Sequence, residues 1–172
     1  ILIEDTMRAG HYKNREESVD IMIRSSQDII RDLIGFGVDF ATENGELAFT
    51  REGGHSRPRI LFHEDITGEE ITEKLLEEVK RRSNITILEH VTMIDLVCQD
   101  NICYGTVCRA ADGSQMVIEA RETVLACGGV GGLYEHSTNF PHLTGDGLAI
   151  AIKNGVELEN IDYVQIHPTT LY

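Results

Sequence analysis

The sequence has no run of about 18 or more apolar residues, so nothing in it reads as a membrane span. It has no surplus of bases: 15 Lys and Arg stand against 29 Asp and Glu, a net charge of −14. Such a surface repels nucleic acid and anionic lipid at long range, so neither nucleic acid nor a membrane is expected as a partner. Acids and bases alternate along the chain, which also fits a plainly solvated surface. The four cysteines, Cys98, Cys103, Cys108 and Cys127, make no CxxC pair and have no paired His spacing, which argues against zinc. Three of them fall in apolar, strand-like runs, so reduced, buried thiols and a cytoplasmic setting are expected. Neither GxGxxG nor a Walker A pattern occurs, and so no complete nucleotide fingerprint is present. No secretory signal, internal repeat, low-complexity tract or obvious linker is visible. The chain starts Ile1-Leu2-Ile3-Glu4 without Met and stops at Leu171-Tyr172 within a patterned segment, the pattern expected of an internal piece.

What is present suits one domain with a core: 172 residues, 41% of them hydrophobic. Val19, Met22, Ile23, Ile29, Ile30, Leu33 and Ile34 have helical spacing over 15–36, with Asn14 and Glu17 as a capping box and Gly35 and Gly37 as the stop. Residues 39–63 are turn-rich. A second helix is predicted over about 69–82, opened by Thr67 and Glu70. The period then shortens. Ile85–Leu88, Val91–Val97, Ile102–Ala110 and Met116–Ala120 read as strands separated by turns such as Asp112-Gly113. Thr123–Cys127 reads as a short buried strand entering Gly128-Gly129, a third helix spans about 145–154, and a last strand covers 156–166. The class is α/β, with an antiparallel meander and no first β-α-β unit of its own.

Four segments could carry chemistry. Ala126-Cys127-Gly128-Gly129 removes side chains where a backbone must approach a flat or phosphorylated ligand, or it merely turns the chain. Thr144-Gly145-Asp146-Gly147 exposes N–H groups at a helix start, or Asp146 caps that helix. In Gln165-Ile166-His167-Pro168-Thr169-Thr170, Pro168 keeps His167 extended, where it could bind a carboxylate or serve a structural role. Arg51-Glu52-Gly53-Gly54-His55-Ser56-Arg57-Pro58-Arg59 could form a polar substrate pocket, with Arg51 or Arg59 gripping a carboxylate, or a solvated loop.

Taken in order, Ala126-Cys127-Gly128-Gly129, Thr138-Asn139, Thr144-Gly145-Asp146-Gly147 and Gln165-Ile166-His167-Pro168-Thr169 resemble the flavoprotein family of fumarate reductase, succinate dehydrogenase and L-aspartate oxidase. Ile3-Glu4-Asp5-Thr6 and Asp65-Ile66-Thr67-Gly68 extend the resemblance over most of the chain. Cys127 stands where the family usually has Thr, a small-for-small change. The resemblance implies FAD as cofactor and part of an FAD-binding Rossmann-like domain over 1–163, with 164–172 opening the substrate-capping region. Glu52 separates the substrates within the family. Reductases and dehydrogenases carry an apolar aromatic there, since a carboxylate would repel a dicarboxylate. A desolvated carboxylate within about 4 Å of an α-ammonium would instead pair with it and reject unaminated competitors.

The resemblance therefore implies oxidation of L-aspartate to iminoaspartate, with oxygen or fumarate as electron acceptor, at the start of the route to quinolinate and NAD. Glu52 would orient the substrate ammonium and His167 would hold a carboxylate, with Gln165 and Thr169 as further donors. Thr92 and Met93 would meet FAD through backbone atoms, Ala126, Gly128 and Gly129 would let it approach, and Asp146 would hydrogen-bond it. The partners implied are a small dicarboxylate or amino acid, the remainder of the polypeptide and quinolinate synthase. The family's N-terminal GxGxxG unit, acid/base arginine and later His and Arg ligands have no counterpart in this sequence. The isolated 172 residues are thus expected to bind FAD weakly or not at all and to be inactive alone. Rival readings are a fumarate reductase or succinate dehydrogenase segment, and a non-catalytic α/β binding module.

Overall fold

A computed structural model of the chain describes residues 1–165, which form two compact units, Ile1–Ile87 and the residues from Leu88 onward. In the first unit α1 (Leu2–Ala9) packs on α2 (Glu16–Gly35). The predicted helix is present, but its predicted cap is not. Arg15 is the N-cap residue and no side chain caps α2. Asn14 lies beside Gly10 instead, where even a methyl would collide with its amide, and its Oδ1 is buried without a hydrogen-bond partner among the described residues. The C-terminus ends as read. Gly37, at φ 95°, donates to Ile34 at 3.0 Å, and Val38 donates to Leu33 at 3.0 Å. That paired closure needs a left-handed residue.

Beyond it the turn-rich stretch is more ordered than its composition suggested. Val38 and Phe40 are buried on alternate positions. Asn44-Gly45, both at positive φ, join β1 (Thr42–Glu43) to β2 (Glu46–Leu47). This is the strongest short hairpin signal in the sequence. A Thr50–Ile60 bridge then closes the base of the 51–59 loop. α3 (Thr67–Arg81) begins two residues earlier than predicted, and its capping box is also absent. Thr67 Oγ1 accepts the His63 N–H at 3.0 Å, and the buried Glu70 accepts the Asp39 N–H at 2.9 Å. The acid ties the helix to the Val38–Phe40 segment rather than to its own first turn.

The second unit is built on an antiparallel sheet in the order β3 (Thr92–Gln99), β4 (Ile102–Arg109), β5 (Gln115–Glu119). The predicted meander is there. Its turns fall at Asp100-Asn101 and at Asp112-Gly113, where Asp112 Oδ1 accepts the Ser114 N–H at 2.9 Å. α4 (Asp146–Lys153) packs on β3, and Leu96, Cys108, Ile150 and Ala151 are buried. Asp95 on β3 accepts hydrogen bonds from Lys153 and, at 2.8 Å, from Asn154. Those two donors, followed by the Leu96 N–H, hold its carboxyl down at about 2.

Three predicted strands differ. Ile85–Leu88, Thr123–Cys127 and residues 156–165 carry no strand pairing, and Val124 is 87% exposed. A buried strand requires neighbours on both sides, and the described residues supply none. The expectation of buried thiols holds only for Cys108: Cys127 lies in an unpaired segment and is exposed, while Cys98 and Cys103, near the turn of the β3–β4 hairpin, are exposed and half-buried.

Candidate functional site

The Glu52 segment is a loop pinned at both ends. The Thr50–Ile60 bridge closes its base, and the Glu52 carbonyl accepts the His55 N–H at 3.2 Å, which folds Gly53-Gly54 into a turn. Asp5 of α1 anchors its far side. Its carboxylate accepts both the Ser56 hydroxyl, at 2.6 Å, and the Ser56 N–H, at 3.0 Å, and pairs with Arg59 at 2.9 Å. The two Ser56 bonds lead and Arg59 adds to them, so the Asp5 carboxyl is held far below the usual carboxylate range. Sequence reasoning gave Asp5 no role. The available signal was an acid on the buried side of an amphipathic helix. Arg59, a predicted substrate clamp, pairs with Asp5 through Nη2 and is only 17% exposed, while its Nη1 is buried without a partner among the described residues. Arg51 and Glu52 point outward and are exposed. The described residues hold Glu52 on a fixed turn but do not desolvate it.

The same turn roofs a cavity of about 300 Å³ lined by Asp5, Thr6, Asn14, Gly54 and His55. Asn14 Oδ1 and His55 Nδ1 are both buried without a partner among the described residues. The loop thus keeps unused polar capacity beside Gly53-Gly54.

In the second unit the Gly run is shaped by two different demands. At Gly132 a Cβ would lie 2.5 Å from the Pro141 carbonyl oxygen, and at Gly128 (φ 76°) it would lie 2.9 Å from Leu143. At both positions the fold by itself already excludes a side chain. At Gly129 a Cβ would meet nothing within 4 Å, so the protein's own packing does not require glycine there. Gly129 opens instead onto a cavity of about 850 Å³, lined also by Tyr134, Asn139, Leu148, Tyr163 and Gln165. That volume is at the upper end of the usual range for small-molecule sites. One predicted cofactor residue and one predicted substrate residue therefore share a cavity.

Asp146 is exposed at the first turn of α4, and Gly145 is the N-cap residue with no side-chain cap bond. The capping alternative is thereby removed. Among the described residues its carboxylate accepts the neighbouring Thr144 hydroxyl, at 3.1 Å. Thr92 and Met93 open β3, an edge strand, so backbone groups facing away from β4 have no sheet partner there among the described residues. Ala126 is exposed beside the Gly run. His167 and Thr169 lie outside the described residues. The cavity residues Tyr134 and Tyr163 were missed, because aromatics in irregular segments carry no periodic signal.

A glycine left open beside a large cavity, in a chain of the α/β class, leaves room for a small-molecule or cofactor ligand. Comparison with known proteins narrows it. Residues 2–172 match the FAD binding domain family model, and the chain belongs to that family. FAD is the cofactor that family binds, and the glycine and cavity geometry fit it. The chain is 42% identical over 170 residues to the L-aspartate oxidase of Clostridium perfringens, covering 99% of itself and 38% of that protein. It is likewise 42% identical over 173 residues to that of Clostridium acetobutylicum, covering all of itself and 40% of that protein. It thus spans about two fifths of these curated relatives. Among solved structures, E. coli quinol fumarate reductase FrdA superposes with a TM-score of 0.86 at 25% identity, over 88% of this chain and 26% of that one. Mycobacterium smegmatis Sdh1 in complex with UQ1 gives 0.81 at 28% identity, over 90% and 28%. The α/β class and its antiparallel meander are those of this flavoprotein fold.

Proposed function

We propose that the whole protein is an FAD-dependent oxidoreductase that converts L-aspartate to iminoaspartate, with oxygen or fumarate as acceptor, and so starts the route to quinolinate and NAD. The observation that carries this reading is Glu52, an acid on a turn fixed by Asp5, Ser56 and the Thr50–Ile60 bridge. Once the rest of the protein and the substrate exclude water from it, a carboxylate held there pairs with an ammonium and penalises a substrate bearing only carboxylates. The similarity to proteins named L-aspartate oxidase supports it.

In this reading Glu52 accepts the substrate ammonium, while His167, Gln165 and Thr169 hold a carboxylate. Thr92 and Met93 present backbone groups to the cofactor, Ala126, Gly128 and Gly129 admit it closely, and Asp146 accepts a hydrogen bond from it. FAD, when bound, supplies the two-electron acceptor. Residues 1–163 serve the cofactor and 164–172 open the capping region. The proposal extends to a cytoplasmic setting, although plant relatives carry the word chloroplastic in their names. It also extends to contact with quinolinate synthase and to inactivity of the 172 residues alone. A stoichiometric flavin absorbance band on that isolated chain would contradict weak binding.

A reductase or dehydrogenase reading is favoured by the solved structures that superpose on this chain. The test is substrate choice by the whole protein. Turnover of aspartate with little turnover of succinate supports the oxidase, and the reverse ends it.

A further inference from the structure

Cys98 and Cys103 face each other across the β3–β4 hairpin, one pair in from the Asp100-Asn101 turn. Directly opposed residues in an antiparallel pair have Cα atoms about 4.5–5.5 Å apart. That lies inside the separation of about 4.4–6.8 Å that a disulfide spans. The register then slips, with Cys98 opposite Cys103 but Val97 opposite Gly105. Tyr104 is thus the extra residue of a bulge, a device that re-aims the side chains beside it. Both sulfurs are free thiols, with Cys98 exposed and Cys103 half-buried. Cys108, four pairs further along, is buried and opposite Met93.

We propose that Cys98 and Cys103 form a modification site, a dithiol that a hydroperoxide converts to a cross-strand disulfide. The two sulfurs have different surroundings. The buried Thr123 hydroxyl leads the groups that lower the Cys103 thiol, followed by the Gly105 backbone. Desolvation, then Cys103 itself and Asp95, raise the Cys98 thiol. We assign the attack to Cys103, which sits beside the buried Thr123 hydroxyl, and the resolution to the exposed Cys98.

The Cys103 thiolate attacks the O–O bond of the hydroperoxide. An S–O bond forms, the O–O bond breaks, and the departing alkoxide or hydroxide takes up a proton, leaving a sulfenic acid. Cys98 sulfur then attacks the Cys103 sulfur and expels hydroxide, which leaves as water with the Cys98 proton. Two electrons pass from the sulfur pair to the peroxide, and two thiols become one disulfide.

The whole protein, reduced and desalted, is treated with hydrogen peroxide and digested with trypsin without reductant. Cleavage after Arg82 and Arg109 leaves Cys98, Cys103 and Cys108 on one peptide. The expected peptide has lost two hydrogens and keeps one alkylatable thiol, assigned by fragmentation to Cys108. Cys98→Ala, a change at an exposed position, should stop at a Cys103 sulfenic acid that dimedone traps. Cys103→Ser should lower the rate of thiol loss at Cys98 about tenfold or more, as expected when the more ionised thiol is removed. The proposal is overturned by a link that includes Cys108, by three intact thiols while exposed Cys127 is oxidised, or by Cys103→Ser reacting as fast as the unaltered protein.

Discussion

Adding one methyl at Gly129 separates fold from cofactor. The ideal Cβ of Gly129→Ala meets no protein atom within 4 Å, and the residue is not in the left-handed region. Stability should therefore change by no more than about 0.5 kcal/mol, the usual range for a substitution that touches nothing. If the open side of Gly129 is where the cofactor lies, the same methyl is an intrusion into a packed contact, which costs roughly 1–3 kcal/mol. At about 1.4 kcal/mol per factor of ten, FAD binding should weaken by roughly 5- to 150-fold. The assay is flavin titration of the apo form of the whole protein, followed by fluorescence, alongside thermal melts of apo wild type and variant. An unchanged Kd with an unchanged melt would refute the placement of Gly129 against FAD. A large loss of stability would refute the reading of its open side.

Gly105→Ala should behave oppositely: φ is 142° and its Cβ would lie 2.0 Å from the Ile118 carbonyl oxygen, so β5 must move. A loss of about 2–4 kcal/mol, from backbone strain and weakened ladder bonds, should appear as a melt lowered by several degrees. Asp5→Asn should loosen the Glu52 loop, read as faster hydrogen exchange at the Ser56 amide and faster proteolysis between Arg51 and Arg59. The Asp5 carboxyl is lowered on folding from 3.8, so its stabilising contribution is present above about pH 4 and is lost as pH falls toward its folded value. Acid melts of Asp5→Asn should accordingly show a weaker pH dependence below pH 4 than wild type. Asn44→Ala places alanine at φ 53° in the hairpin turn and should cost about 1–2 kcal/mol, measured by denaturant titration.

Legibility followed local physics. The long amphipathic helix α2, its Gly37 stop and the β3–β4–β5 meander were readable because their signals lie within the segments themselves. The two capping boxes were misread, because Asn14 and Glu70 find other partners: Asn14 fills the notch at Gly10, and Glu70 reaches Asp39, 31 residues away. Thr123–Cys127 has strand composition, but pairing is a property of neighbours, and no strand pairs with it among the described residues. At the site, motif order named Gly129, Asp146 and Glu52. Only geometry separated Gly129 from the structural glycines around it, or found that Arg59 serves Asp5.

The central claim is that the Glu52 carboxylate recognises an amine. Glu52→Gln keeps the shape and removes the charge, and a hydrogen bond to a charged partner is worth about 1.5–3 kcal/mol. Steady-state kinetics of the whole protein should then show KM for aspartate rising roughly 10- to 150-fold while KM for fumarate as acceptor moves less than about threefold. Equal changes for the two, or none for aspartate, would contradict the account.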